Sequence, residues 1–430
     1  MNPQAQNLNE VIISKNQAVY DLLSERGKNI FFPKKGILGQ SAEAKGTRIN
    51  ATIGTAIEDD GAPMSLASIS SKIDISADKA FLYAPSFGRP DIRKRWQAMI
   101  AEKNPRLGGM TISLPIATSA LTHGISMAGY MFLNEGQEIL VPNLYWGNYN
   151  LALTNAYGAK IVTYNLFKNG AMDIEALEAA LLADGDKKVL LLNFPNNPTG
   201  YSPTTTEMQA LVAAIKNAAE KGKKIAVICD DAYFGLVYEE GVDKQSPFAY
   251  LADIHENVLA VKVDGPTKED YVWGFRVGFI TYAVKGGDAE LYEALENKTA
   301  GAVRGNISNA SNLSQSLLVQ AFEAPSYNDE KKAKFDIMQT RYNAVKETLS
   351  NPKYAEYFTA LPYNSGYFMC IKPVDGIDAE KVRTLLIEKY SIGTININGL
   401  IRIAFSAVAA KDITTMFDGI YDACKEVVGK

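Results

Sequence analysis

Short apolar runs without polar alternation recur through the middle of the chain. They are "EILVP" at Glu138–Pro142, "KIVTYN" at Lys160–Asn165, "KVLLLNF" at Lys188–Phe194, "KIAVICD" at Lys224–Asp230 and "VLAVKVD" at Val258–Asp264. Runs of this kind predict strands buried on both faces. Between them, "DIEALEAALLADG" and "TEMQALVAAIKNAAEKGK" carry apolar residues at helical spacing and reach glycine stops. Strands alternating with helices predict an α/β domain with a mostly parallel sheet covered on both faces. Ligands in such domains bind at the carboxyl ends of the strands.

The flanks read differently. Residues 1–55 are expected to form a polar N-terminal arm and part of a smaller domain, and residues 56–320 the large domain. Residues 321–430 complete the smaller α+β domain. Its helical material is broken near Pro325, and "SGYFMCIK" and "LIRIAFSAV" supply strands.

The 430 residues carry a formal net charge of −4, which argues against general affinity for nucleic acid or anionic membranes. No apolar run approaches the roughly 18 residues that cross a bilayer, and the polar start "MNPQAQNLNE" lacks a signal-peptide pattern. Cys229, Cys370 and Cys424 are widely spaced, and His123 and His255 lie in no ligand motif. These features point to a cytoplasmic protein without a disulfide framework or metal site.

Candidate chemistry starts in "NFPNNPTG", where Asn197 lies at the end of a predicted strand. By itself the segment is a turn. Lys268 stands in "DGPTKEDYVWGFRVGF", and alone it reads as a solvated loop charge. Arg276, inside the apolar "GFRVGF" strand, needs an anion if buried, and an internal carboxylate is the simpler partner. Asp230 ends a strand and reads either as a helix cap or as the anion that keeps a heterocyclic nitrogen protonated.

Together, Asn197 in N-P-T-G, Asp230-x-x-Tyr233, and Lys268 followed eight residues later by Arg276 resemble the class I aminotransferases, in their aspartate aminotransferase subgroup. Further matches fall in order. "NATIGTAIEDDGAP" resembles the substrate loop, with Gly54 at its glycine. "YAPSFGRPDIR" resembles the segment whose tyrosine, here Tyr83, reaches a partner subunit's cofactor phosphate. "ATSALTHGI" resembles the phosphate loop, placing Ala120, Leu121 and Thr122 there. "LYWGNY" supplies Trp146 for stacking on the cofactor ring, and "LIRIAFS" supplies Arg402 for the substrate α-carboxylate.

The resemblance implies a seven-stranded, mostly parallel sheet and a homodimer with shared sites. It implies pyridoxal 5'-phosphate bound covalently through Lys268, with pyridoxamine phosphate formed between half-reactions. Lysine suits this role because its primary amine forms an exchangeable Schiff base and then moves a proton. Asp230 would keep the ring nitrogen protonated, and Asn197 and Tyr233 would hydrogen-bond the ring oxygen. Arg276, Thr122, Thr267 and the amides near Ala120 would hold the phosphate at a helix start. The departures are Gly265 in place of a serine, Pro266, Tyr271, the bulky Leu121, and Tyr149 and Asn196 where aspartate enzymes carry histidine.

Arg304 in "VRGNISNAS" has the spacing of an arginine that binds a side-chain carboxylate across the dimer. It equally suits a solvated loop residue. With a carboxylate partner it would favour aspartate, glutamate and their 2-oxo acids. The expected activity is amino transfer between an L-amino acid and a 2-oxo acid by a ping-pong route. A lyase or decarboxylase on the same scaffold, or a non-catalytic regulator, are the rival readings.

Overall fold

The apolar runs form the centre of the molecule in the computed structural model, which describes residues 1–31, 36–71 and 73–429. Seven strands make one sheet: β1 (Ile116–Thr118), β2 (Glu138–Pro142), β3 (Lys160–Tyr164), β4 (Lys187–Asn193), β5 (Lys224–Asp230), β6 (Val258–Asp264) and β7 (Gly278–Val284). Their order is β1-β7-β6-β5-β4-β2-β3, and β7 alone runs against the direction of the other six. The residues of β4 from Val189 to Leu192 are buried, as strands covered on both faces require. In register, Asn193 pairs with Asp230 and Asp230 with Val263, so β4, β5 and β6 end level.

Helices α1 (Pro90–Lys103), α2 (Ala120–Phe132), α3 (Thr205–Glu220), α4 (Ala289–Ile307) and α5 (Asn312–Phe322) accompany the sheet. The start of α3 is set by sequence: Thr204 accepts from the Glu207 amide while Glu207 reaches back to the Thr204 amide. α5 stops before Pro325, and α6 (Tyr327–Leu349) starts after it.

A second, antiparallel sheet has the order β8-β9-β11-β10, from β8 (Phe358–Ala360), β9 (Phe368–Pro373), β10 (Ile395–Ile397) and β11 (Leu400–Ala404). The amphipathic helix α7 (Ile413–Val428) buries Ile413, Met416, Phe417 and Ile420. Near the other end of the chain, Ile49–Asn50 pairs in parallel with Ile392–Gly393. The first 29 residues are helical, at Pro3–Lys15, Gln17–Leu22 and Glu25–Asn29. No helix among the described residues is long and apolar enough to cross a membrane.

Gly200 locks the two sheets together. Its φ is +71°, and a Cβ there would stand 1.8 Å from the Phe368 carbonyl oxygen. Its own carbonyl accepts from the Asn364 and Ser365 amides at 2.9 and 2.8 Å. Only glycine permits so close an approach at that conformation.

Candidate active site

The Asn-Pro loop after β4 is a buried frame. Asn193 donates to the Asp230 carbonyl at 2.8 Å and accepts from the Asn197 amide at 2.8 Å, tying two strand ends to the loop. Asn196 accepts from the Thr199 amide and hydroxyl and donates to the Leu144 carbonyl. Its role is therefore to shape the turn. Asn197 itself lines a cavity of about 400 Å³ at the carboxyl ends of β4, β5 and β6.

The amino end of α2 forms one wall. Ala120, Leu121 and Thr122 line the cavity, and Ala120 takes φ +62° as the chain turns from β1 into the helix. The helix start lies directly on β7, because a Cβ on Gly278 would stand 2.7 Å from the Ala120 carbonyl carbon. Free amides at such a terminus favour an anion. The Thr267 hydroxyl, also on the wall, is buried without a hydrogen-bond partner among the described residues.

Asp230 is buried at the end of β5. The Tyr149 hydroxyl donates to its Oδ2 at 2.5 Å, and the Ala232 amide donates to Oδ1 at 3.2 Å. Burial raises the carboxyl to about 6, with Asp231 adding to the rise while Tyr149, Lys268 and the Ala232 amide oppose it. The departure at Tyr149 thus has a local meaning: a phenol supplies the hydrogen bond to this carboxylate. Tyr149 also meets the Trp146 ring edge-on at 5.5 Å between centroids.

Lys268 lines the cavity, with Nζ 5.3 Å from the centre of the Tyr233 ring. Burial lowers its amine from 10.5 to about 8; Asp230 opposes the shift and Arg276 adds to it. Tyr367 donates to the Lys268 carbonyl at 2.8 Å, which anchors the backbone. Tyr233 is buried, and burial raises its phenol, opposed by Arg402 and by a hydrogen bond with Asn197.

Arg276 differs from its sequence reading. It is exposed and lies in the turn before β7, with φ +54°, and not buried within a strand. The reason is the close seating of α2 on Gly278: β7 begins only there, and the preceding residues fold into turns. Arg276 donates to the Trp273 carbonyl at 3.2 Å and has no carboxylate partner among the described ion pairs. It still lines the cavity.

Arg402 is 2% exposed. It donates to the Thr52 carbonyl at 3.0 Å and to Asn197 Oδ1 at 3.3 Å, and its guanidinium lies 4.3 Å from the centre of the Phe368 ring. Its Nε is buried without a partner, and no described carboxylate pairs with it. A buried cation left unpaired costs several kcal/mol, so the pocket is suited to an incoming anion.

Gly54, Trp146 and all the residues described above as lining the wall share the one cavity. Tyr83 and Arg304 do not line it, and both are exposed. Sequence reading missed Phe368, Ile53, Ile37 and Ser41, which also line it. Phe368 could have been found from its place at the start of the strand paired with β11; Ile37 and Ser41 come from the arm, which offered no signal.

The family model for aminotransferase class I and II matches residues 59–420. An aspartate aminotransferase of Bacillus sp. strain YM-2 is 26% identical over 60% of this chain and 62% of its own length. One from Streptomyces avermitilis is 30% identical over 54% of this chain and 53% of its own. In both, the matched part is less than two thirds of the relative. The crystal structure of an aminotransferase from Anaerococcus prevotii superposes with a TM-score of 0.82 at 25% identity, covering 94% of this chain and 99% of that one. A mostly parallel sheet with a lysine, an aspartate and an arginine around one cavity thus meets a family match over most of the chain. The chain belongs to the aminotransferase class I and II family, whose members generally use pyridoxal phosphate.

Proposed function

We propose that the protein is a pyridoxal-phosphate-dependent aminotransferase, moving an amino group between an L-amino acid and a 2-oxo acid by a ping-pong route. The observation that carries this reading is the shared cavity of Lys268, Asp230 and the unpaired, buried Arg402. The residues fit the cofactor: the orphaned Thr267 hydroxyl, Thr122, the α2 amides and Arg276 suit a phosphate. When bound, pyridoxal phosphate supplies a carbonyl for amine exchange and an electron sink for the carbanion left by Cα proton loss.

The chain's own residues do the rest. Lys268 Nζ would hold the cofactor and, when free, would carry the Cα proton; an amine lowered to about 8 is partly free near neutral pH. Asp230 would hold a proton on the ring nitrogen, with Tyr149 fixing its carboxylate. Asn197 and Tyr233 would hydrogen-bond the ring oxygen, and Trp146 would offer a flat apolar surface. Arg402 receives the α-carboxylate near Gly54.

The preferred substrates are aspartate, glutamate and their 2-oxo acids, with Arg304 supplied by a second copy in a homodimer. Support comes from the exposure of Arg304 on α4 and from the consecutive apolar residues Phe81, Leu82 and Tyr83, of which Phe81 and Tyr83 are 85% and 89% exposed. Apolar groups of that kind suit a protein contact.

The test is the absorbance spectrum of the protein with pyridoxal phosphate, before and after aspartate, glutamate, alanine or tyrosine. Conversion to the pyridoxamine form with release of 2-oxo acid, absent in Lys268→Ala, is expected. A band indifferent to every amino acid would overturn the reading.

A further inference from the structure

Behind the cavity wall lies a set of charges that line no part of it. α6 carries Lys331, Lys334 and Arg341 on one face, three and ten positions from the first. Lys331 Nζ lies 3.0 Å from Glu269 Oε2 and 2.9 Å from Asp270 Oδ1. Those two carboxylates follow directly on Lys268. Lys103 of α1 joins the cluster 2.8 Å from Glu269, and Tyr327 donates to Asp270 at 2.6 Å. The cations hold the Glu269 carboxyl well below the usual carboxylate range against the effect of burial.

The other two cations reach the opposite side of the site. Lys334 pairs with Glu58, and Arg341 pairs with Asp59 at 2.9 Å, in the loop that follows Gly54. Arg341, 1% exposed, also donates to the Ser406 carbonyl, just past β11 and Arg402. That carbonyl accepts from the Ile57 amide at 3.2 Å. One helix face therefore grips the loop bearing the lysine, the loop beside the carboxylate pocket and the end of the strand bearing the arginine.

Stability alone does not explain such a device, since well-packed apolar residues often serve a buried ionic cluster's place as well or better. Charges paired through directional bonds fix distance and orientation instead. We propose that this basic face of α6 is a positioning element that sets the Lys268 amine relative to the Arg402 guanidinium, Lys331 acting on the lysine and Arg341 on the arginine. Only the kinetic half of its test rests on the aminotransferase reading.

The first half uses cofactor-free protein and the pH midpoint for modification of Lys268 by trinitrobenzenesulfonate, read by peptide mass spectrometry. Asp230, Arg276 and Tyr233 are the charged or titratable groups facing that amine. Loosening its loop admits water and relieves the desolvation that depresses it. Lys331→Met is expected to raise the midpoint by about one unit, a tenfold fall in labelling below it; Lys331→Arg restores it, and Arg341→Met leaves it in place. If Lys331→Met does not fold, Glu269→Gln is expected to raise the midpoint in the same direction. The second half is steady-state kinetics: Arg341→Met raises KM for the amino acid about tenfold with kcat nearly unchanged, whereas Lys331→Met lowers kcat with little change in KM. An unmoved midpoint in the folded Lys331 or Glu269 variant, or KM and kcat moving together in both α6 variants, overturns the proposal. If the wild-type protein does not react with amino acids, the aminotransferase reading fails while the labelling result still stands.

Discussion

Leu121 fills the space that Gly265 leaves open: a Cβ on Gly265 would stand 3.2 Å from Leu121 Cδ1. Two departures from the family pattern, a bulky residue at the start of α2 and a glycine before the lysine, are thus one exchange of volume. Gly265 is also pressed against the backbone, 2.8 Å from the Val277 carbonyl oxygen by the same measure. Gly265→Ser should destabilise by about 1–3 kcal/mol through overpacking. Adding Leu121→Ala should recover part of that loss, because the Val277 contact remains. Urea unfolding of the two single variants and the double variant measures the coupling; no recovery means the two positions do not compensate.

Tyr149→Phe removes the phenol that stabilises the ionised Asp230 carboxylate. A hydrogen bond to a charged group is worth about 1.5–3 kcal/mol, so the carboxyl should titrate about one to two units above its present value of about 6. Carbon-13 NMR of the labelled side chain in cofactor-free protein reads this directly. An unchanged midpoint would show that burial alone sets the value.

Arg402→Met should separate binding from stability. The buried guanidinium has no carboxylate partner, so its loss should leave the melting temperature of ligand-free protein equal or higher. Affinity for amino acids should fall by about 2–5 kcal/mol, read as KM or as the concentration needed for the spectral change. A large loss of stability with intact affinity would contradict both expectations.

Lys268 carries a pH-dependent penalty. Its folded amine lies near 8 against an ordinary 10.5, so burial of the charged form is unfavourable. The penalty is full below about pH 8 and disappears as pH rises towards 10.5. In cofactor-free protein, Lys268→Met should therefore add about 2 kcal/mol at neutral pH after allowance for solvent screening, and nothing near pH 11. Denaturant midpoints across that range make the comparison.

Arg304→Ala should lower kcat/KM for aspartate by about 10²-fold or more, as expected for a lost bidentate carboxylate contact, while sparing tyrosine. Equal losses for both substrates would remove the dicarboxylate reading and leave amino transfer itself untouched.

The central sheet was legible because β4, β5 and β6 are buried along almost their whole length, which leaves no alternation to confuse with a surface strand. β3, at the sheet edge, is partly exposed against that expectation because only one neighbour covers it. Lys268, Asp230 and Asn197 were legible through order and spacing, since their loops follow directly on such runs. Arg276 was misplaced because "GFRVGF" carries a strand's composition, while the contact that ends the strand at Gly278 comes from α2, about 160 residues earlier. The bond from Tyr149 to Asp230 spans 81 residues, and the arm residue Ile37 reaches the cavity across the whole fold. Neither leaves a periodic trace, since only tertiary packing brings those groups together.

The anchors of Arg402 lie 350 residues away at Thr52 and 205 away at Asn197. During synthesis the ribosome therefore releases the cavity-lining loops around Asn197, Asp230 and Lys268 well before Arg402. Until β11 emerges and pairs with β9, the strand that seats against Gly200, a growing chain carries the lysine of the cavity without its buried guanidinium. The deepest-buried cation of the cavity is in this sense the last part of it that the nascent polypeptide acquires, and it arrives together with the closing of the second sheet.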